Sequence, residues 1–450
     1  MRKSIKKIGA VLLAAILVCG TLSACGKEDS SNSSKNADGK IVISLWSTYG
    51  TYGTKYMEEL IDKFNDSQDK YFVEGSAGYD AASIRTKMQT SKQSTYPSLI
   101  CGTSTTMASY AKASYVKPLQ DFIEKDSEDW TANMFPGVRR CYSDLDGRLI
   151  GNPTGVSCNG YIINVDILNQ LGYKVEDLTS FEKIAQIAKE AVSKKVCKYG
   201  ISFASGVDLV DMVTMQGGMF VDADNGYSGE ATKSTLMEGV AYDAITKAST
   251  ILADLFASGT ALDFGYGSDC TAIFNANDLL FWKCTNSSTH NIYESGTKIN
   301  WSFIPSVGVD ENAKYKNAAL SEGTGIFICN TGDEEEMQGA YEFIKFIAKP
   351  ENQVEFEKGI GYVPYTTEAA DLYEEWSNVN FPSATGIIEK LKTSPADLAL
   401  PFVDIGGEIN TAMTDLLGNI AVYPDADLSS YIQEASETID IGLKVYSSRK

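Results

Sequence analysis

The sequence predicts an α/β protein whose body holds more than one compact unit. Short apolar runs alternate with amphipathic stretches at the interval of βαβ units. The body beyond the N-terminal segment is about 410 residues long, which suits two or three units at roughly 150 residues each. A single lobe of that size would be unusually large.

The first element is a leader. Residues 1–9 carry Arg2, Lys3, Lys6 and Lys7 without an acid, and residues 10–20 are an apolar run. That is the pattern of a secretion signal, and the run is about half of the roughly 20 residues a membrane-crossing helix needs. Leu22, Ser23, Ala24 and Cys25 resemble the lipobox of bacterial lipoproteins, which implies cleavage after residue 24 and a diacylglycerol on the Cys25 thiol. Residues 25–40 are rich in Ser, Asn, Lys and Asp, with Ala37 as the one apolar side chain. They cannot bury a core and read as a flexible tether.

The body opens with Ile41–Trp46, IVISLW, a continuous apolar run of the kind buried in a parallel sheet. Behind it Met57, Leu60, Ile61 and Phe64 share one helical stripe. The alternation continues with a strand over 71–73, a helix over 81–93, a strand over 98–101 and a helix over 107–113. DLDG at 144–147 is a hairpin turn between Tyr142 and Leu149. Thr179 and Glu182 form a capping box for a helix burying Phe181, Ile184, Ala185 and Ala188. Met337, Ala340, Tyr341, Ile344 and Ile347 make another buried stripe, and Pro350 suits the first turn of a helix ending at Gly359. In the tail Ile432, Ala435, Ile439 and Leu443 are in helical phase.

Composition narrows the function. The formal charge is −20, and without the leader's four basic residues the remainder stands at −24. Nucleic acid is excluded as a natural partner, and so many acids argue against a body that lies on anionic lipid. Besides Cys19 and Cys25 the body holds seven cysteines. That count is odd, so at least one thiol stays unpaired within the chain. No CxxC spacing occurs, which leaves no local metal or redox motif.

The sole histidine, His290, rules out multi-histidine metal sites and leaves little room for a histidine-based triad. Beside Ser287 and Ser288 it reads as a surface or rim residue. GxSxG, P-loop, GxGxxG and HExxH motifs are absent. DADNG at 222–226 has the Asp spacing of a calcium loop but lacks the closing glutamate, and reads as a turn. Paired carboxylates for glycoside cleavage stay open, because the fold and not the spacing sets such pairs. No cofactor or metal is expected.

Five stretches, in order, resemble the family 1 extracellular solute-binding proteins of ABC importers, a group with maltose, multi-sugar and glycerol-3-phosphate binders. They are IVISLWSTYG, CGTSTTMASYAKASYVKPLQDFI, CYSDLDGRLIGNPTGVSCNGYIINVDIL, YGISFASG with a later QGG, and EFIKFIAKPENQVEFEKGIGYVPYT. The last is the most specific, with a helix, a Pro-Glu-Asn helix start and Gly-Tyr-x-Pro. The resemblance implies a type II periplasmic-binding-protein-like fold: two α/β lobes of discontinuous segments, joined by hinge strands around a ligand cleft. It places the first lobe at 41–152 plus 322–360 and the second at 153–321 plus 361–450. It further implies a monomer on the outer face of a Gram-positive-like membrane, serving an ABC permease.

The order GTST, QGG, SEGTG is closest to the glycerol-3-phosphate binders. Yet Ile100 and Cys101 stand where those binders have an acid, and residues 402–406 lack their phosphate-gripping arginine. Without that charged fork a phosphate forfeits bidentate hydrogen bonds. A neutral sugar or oligosaccharide is therefore the preferred ligand.

A sugar site needs aromatic platforms beside convergent polar groups. Trp46 and Tyr49 follow the first strand, where a parallel sheet presents its binding loops, and Tyr79 lies in the next loop. Thr103 and Ser104 cap the strand that ends at Cys101. Ser157 and Asn159 follow the entry to the second lobe, Asp208 begins a helix, and Trp282, Asn286 and Ser287 cluster in another loop. Gly323 and Thr324 return to the first lobe, and Tyr362 marks a third crossing. Each has a structural alternative. Trp46, Trp282 and Tyr362 also suit a core, Thr103, Ser157 and Asn286 also suit caps and turns, and Asp208 also suits an N-cap. Two other functions compete: a surface-anchored glycosidase, marked by two carboxylates flanking one cleft, and a protein-binding scaffold or sensor, marked by an exposed apolar patch.

Overall fold

The computed structural model describes residues 34–265, 269–381 and 383–448. The leader, Cys25 and the first part of the expected tether lie outside the described residues. Residues 34–40, the end of that tether, form a turn. Lys35 pairs with Ile41, and Asn36 Oδ1 accepts from the N–H groups of Asp38 and Lys40 at 3.0 Å.

The strands are β1 (Ile41–Trp46), β2 (Tyr71–Ser76), β3 (Leu99–Thr103), β4 (Val116–Lys117), β5 (Asn152–Pro153), β6 (Asn159–Asn164), β7 (Tyr199–Ser202), β8 (Leu279–Thr285), β9 (Trp301–Pro305) and β10 (Thr324–Cys329). They form two sheets, β2-β1-β3-β10-β4 with β5 also on β10, and β7-β8-β6-β9. β1, β2 and β3 are parallel, as the alternating pattern predicts. β10 lies antiparallel between β3 and β4, which the pattern does not predict. It starts at Thr324, opposite the Thr103 end of β3. A segment entering the sheet from that edge has to run the other way.

The predicted stripes are the buried faces. In helix Thr51–Ser67 Met57, Leu60, Ile61 and Phe64 are buried. Phe64 meets Phe343 and Phe346 edge-on, with ring centroids 5.2 and 5.4 Å away. Each such pair contributes about 0.5–1.5 kcal/mol beyond burial. Helix Ala81–Thr90 is capped by Asp80, whose side chain accepts from Ser83 N at 2.8 Å, and stops short of residue 93. Pro350 opens helix Pro350–Ile360, and Gly361, with a φ of 71°, closes it, past the predicted Gly359. The DLDG turn holds, with Ser143 paired to Leu149.

One cap differs from expectation. Helix Phe181–Ser193 is capped by Ser180, which accepts from Lys183 N at 3.3 Å. Thr179 instead donates to Glu311, and Glu182 pairs with Lys247 at 2.9 Å. Serine is a better N-cap than the threonine before it, and the tertiary acceptor on Glu311 takes the threonine away.

Three segments carry the chain between the sheets and lie side by side. Val156 and Val363 exchange two 3.0 Å main-chain bonds, and Ser157 and Glu322 exchange bonds of 3.0 and 2.8 Å. Helices Phe181–Ser193, Gly239–Ala257, Gly406–Val422 and Leu428–Ser447 share one core with the second sheet. Within it Ile432, Ala435, Ile439 and Leu443 are buried as predicted. Helices Thr367–Asn380 and Ala384–Thr393 belong to the other core, which joins the first sheet to Ile162, Trp282 and Phe303 of the second. They also reach the second sheet, where Phe381 stacks on Trp301 at 6.0 Å.

The seven body cysteines are buried free thiols. Burial pushes Cys101 and Cys141 up to about 12, so the reactive thiolate is scarce at ordinary pH. The folded protein is expected to leave all seven unlabelled by a thiol reagent at pH 8, and unfolding in urea should expose them together. Rapid labelling of any one in the folded state would contradict the burial.

Candidate functional site

The ends of β1 and β3 meet the three crossings at one place. Tyr49 lies edge-on to Phe356 at 5.2 Å, and its hydroxyl is hydrogen-bonded to Thr154. The Tyr362 ring covers Gly155. A Cβ at Gly155, whose φ is +122°, would lie 2.9 Å from Tyr362 Cδ2. Tyr362 is also hydrogen-bonded to Thr324, and Thr324 faces Thr103 across the β3–β10 ladder. Thr103 Oγ1 is 2.8 Å from Thr105 Oγ1, and Ser104 N donates to Gly323 O at 3.1 Å. Gly323 has a φ of +135°, and a Cβ there would come within 2.9 Å of Gly155 O. Only glycine fits both positions without strain.

Beside this junction a cavity of about 260 Å³ opens among Tyr49, Ser287, Ser288, His290, Asn291 and Tyr362. Among the described residues no lysine, arginine or carboxylate lines it. Burial lowers His290 below its usual value and raises Tyr49 and Tyr362 above theirs. The cavity is therefore uncharged at neutral pH and offers hydroxyl, amide and imidazole groups beside aromatic carbon. His290, read from sequence as surface or rim, is on its wall.

The remaining predicted residues divide. Trp46 stacks on Tyr79 at 5.2 Å and 23°, with Lys87 Nζ over both rings at 5.2 and 4.3 Å. Asn159 Nδ2 donates to Glu322 Oε1 at 3.1 Å. Ser157 Oγ donates to Asn286 Oδ1 at 3.2 Å. Asn286 itself is fully buried. Its Oδ1 accepts from Cys158 N at 2.8 Å and its Nδ2 donates to Gly361 O at 2.9 Å, so it ties two crossings together and has little left to offer a solute. Trp282 is 0 % exposed. Its place in β8, opposite Ile162, makes it core, which corrects its assignment to a cleft loop.

Asp208 belongs to a buried charge cluster. Its carboxylate accepts from Ala204 N and Ser205 N at 3.0 and 3.4 Å. Lys283 Nζ lies 3.5 Å from Asp208 and 3.4 Å from Asp211 and donates to Ser306 Oγ at 2.8 Å. Asp211 Oδ2 accepts from Ser306 at 2.7 Å, and Asp211 is hydrogen-bonded to Glu322. Sequence reasoning missed Asp211, Lys283 and Glu322. Two signals were available: Asp208 and Asp211 stand three apart on one helix and so share a face, and Glu322 lies inside SEGTG, next to Gly323.

Two α/β lobes joined by three crossing segments, with a polar uncharged cavity beside the junction, define a two-lobed solute-binding protein. Residues 59–383 match the family model for bacterial extracellular solute-binding proteins, and the chain belongs to that family. Relatives include the sn-glycerol-3-phosphate-binding periplasmic protein UgpB of Yersinia pestis, 25% identical over 354 residues, or 76% of this chain and 78% of that protein. UgpB of Escherichia coli K12 is 25% identical over 356 residues, with the same coverage. Among solved structures, the sugar-binding protein MalE from Xanthomonas citri superposes with a TM-score of 0.75 at 18% identity, covering 90% of this chain and 98% of that one. UgpB from Mycobacterium tuberculosis in complex with glycerophosphocholine gives 0.71 at 17% identity, covering 90% and 98%. These likenesses bear out the family resemblance and the two-lobed fold. The family is one of exported binding proteins, not of enzymes.

Proposed function

We propose that this chain captures a neutral sugar or oligosaccharide between its lobes and delivers it to the permease of an ABC importer, without covalent chemistry. The observation that carries this is the cavity beside the crossings, which has aromatic, hydroxyl and amide groups and no formal charge on its wall. Tyr49, Ser287 and Tyr362 line it, Gly323, Thr324, Ser157 and Asn159 brace the crossings beside it, and Trp46, Tyr79 and Thr103 are the further contacts this reading assigns to the first lobe. A solute that touches both lobes selects the closed arrangement, with the three crossings as the hinge. The lobes divide at 41–152 plus 322–360 and 153–321 plus 361–450, the helices over 367–393 touching both.

A glycerol phosphate is the second reading, favoured by the names of the UgpB relatives. Against it stand the three carboxyls of Asp208, Asp211 and Glu322 near the crossings with one buried cation, Lys283. A glycosidase is disfavoured because Asp211 and Glu322 are hydrogen-bonded to each other, whereas cleavage needs carboxyls about 5–9.5 Å apart.

A thermal-shift screen against sugars, polyols and glycerol phosphates tests the reading. A solute at a hundred times its Kd stabilises by about 2.7 kcal/mol. Neutral sugars are expected to raise the melting temperature and to remain intact. A shift with glycerol phosphates alone would reverse the ligand class, and consumption of an oligosaccharide would make the protein an enzyme.

The lipobox at 22–25 supports a lipid anchor at Cys25 on the outer face of the cell membrane, since acyl chains bury about 0.8 kcal/mol per methylene. Thiol counting on the unfolded cellular protein reads this directly. Seven titratable thiols, those of the body, are expected when the leader is gone and Cys25 is acylated, and one more would show Cys25 bare.

A further inference from the structure

We infer that Asp211 and Glu322 share one proton and thereby hold the second crossing against the second lobe, making Glu322 a positioning residue for the proposed solute site. The sharing of the proton stands independently of what the cleft binds, whereas the positioning role rests on the proposed function.

Asp211 is 1 % exposed on helix Val207–Gln216. Its Oδ2 is engaged by Ser306 and Lys283, and its Oδ1 meets no N–H or O–H donor. What faces Asp211 is the carboxyl of Glu322. Two ionised carboxylates there would repel, and a single proton turns the contact into an O–H···O⁻ bond of the short, strong kind. The charge count agrees. Three acids face one cation, and Asp208 is served by two main-chain N–H groups. Burial and the neighbouring Asp211 charge hold Glu322 well above the usual carboxylate range. The proton belongs to the pair and not to either residue.

Glu322 transmits this state. Its main chain is bonded in both directions to Ser157, its Oε1 accepts from Asn159, and Gly323 and Thr324 follow it into β10. With the proton gone the carboxylates repel. Glu322, the less buried partner, is free to swing away, and Asn159 then loses its acceptor. The other titratable groups around the pair are Asp208 and Lys283 in the second lobe, Tyr161 and Cys158 on and before β6, Cys141 and Tyr142 from the first lobe, and Tyr362 on the third crossing. The thiols and phenols are raised by burial, and Lys283 is raised by Asp211 and Asp208. None of those changes charge between pH 5 and 9. Asp208, held up by burial and by the Asp211 charge, cancels between the wild type and Glu322→Gln, which keep Asp211, and not in Asp211→Asn.

The decisive measurement needs no solute. Unfolding of the wild type, Glu322→Gln and Asp211→Asn is followed from pH 5 to 9. The folded pair keeps a proton that an unfolded glutamate, with a pKa of about 4.3, has lost. Folding therefore takes up a proton, and the stability this supplies is lost as pH rises. Relative to Glu322→Gln, the folding constant of the wild type should fall about tenfold per pH unit until the pair ionises. Asp211→Asn should keep the slope over a narrower pH range, because Glu322 then retains only the rise that burial gives it. Parallel wild-type and variant curves would overturn the shared proton. If one variant fails to fold, the infrared difference between the wild type and the other decides, since buried Glu357 is raised in both: a protonated-carboxyl band at pH 7 that the variant lacks supports the pair, and identical bands refute it. The positioning role is read with maltose, or the neutral sugar giving the largest melt shift. Its affinity should weaken with pH in the wild type and stay level in Glu322→Gln. A level affinity in both would overturn the positioning role alone, and a screen without any hit would sink the solute reading while the unfolding comparison still decides the pair.

Discussion

Lys283→Met is expected to destabilise the folded chain by about 3–5 kcal/mol, the range for removing one partner of a buried ion pair. Lys283 is fully buried. Its ammonium stands within 3.5 Å of both Asp208 and Asp211 and lies over the Tyr161 ring at 5.2 Å. Methionine fills much of the volume, so the loss is electrostatic and not a cavity effect. The variant leaves two buried carboxylates without a cation, and each is driven toward its neutral form. The sign of the pH dependence follows. With Asp208, already held up by burial, pushed further up once the cation is gone, the variant binds protons on folding, so its deficit is small at acid pH and grows as pH rises above about 4, the unfolded aspartate value. Urea unfolding at pH 5 and pH 8 measures both the loss and its growth. Adding Asp211→Asn should recover part of the loss, because the two substitutions act on one network and do not add. A deficit below about 1 kcal/mol would place the pair among solvent-screened surface bridges and contradict its burial.

The same cluster shows where sequence reading stops. Periodicity found the stripe of Met57, Leu60, Ile61 and Phe64 and the tail stripe of Ile432 to Leu443, because a helix face is a local property of spacing. Pro350 marked a helix start for an equally local reason. The antiparallel course of β10 was invisible, since it depends on the edge from which the chain re-enters the first sheet. Trp282 reads the same in sequence whether it faces a cleft or a core. Only the pairing of β8 with β6 decides, by setting which side of the sheet it takes. Asn286 was singled out as a ligand contact, but its amide joins Cys158 to Gly361, residues far apart in the chain. Lys283, Asp211 and Glu322 come from a strand, a helix and a crossing, so no spacing rule assembles them. What sequence did reach was the ordered set of loops at the junction, where Tyr49, Ser287, Gly323, Thr324 and Tyr362 are gathered.

Tyr362→Ala is expected to weaken the neutral sugar that wins the screen by about 30-fold, or roughly 2 kcal/mol, the level at which a buried aromatic contact dominates an interface. The ring lines the cavity on one side and covers Gly155 on the other, so its loss both removes an aromatic platform and uncovers the crossing. Tyr362→Phe separates these effects. It keeps the ring over Gly155 and loses only the hydroxyl bonded to Thr324, so it should retain most of the affinity. Calorimetry gives both values, and the solute-free melting temperature shows whether either variant is misfolded. Trp46→Ala is the comparison. Trp46 lies on the first lobe, stacked on Tyr79, and it should weaken a long oligosaccharide more than a short sugar if the ligand runs along that lobe. If Tyr362→Ala leaves the affinity within about threefold while Trp46→Ala abolishes it, the sugar is held along the first lobe and the cavity beside the crossings is not its seat.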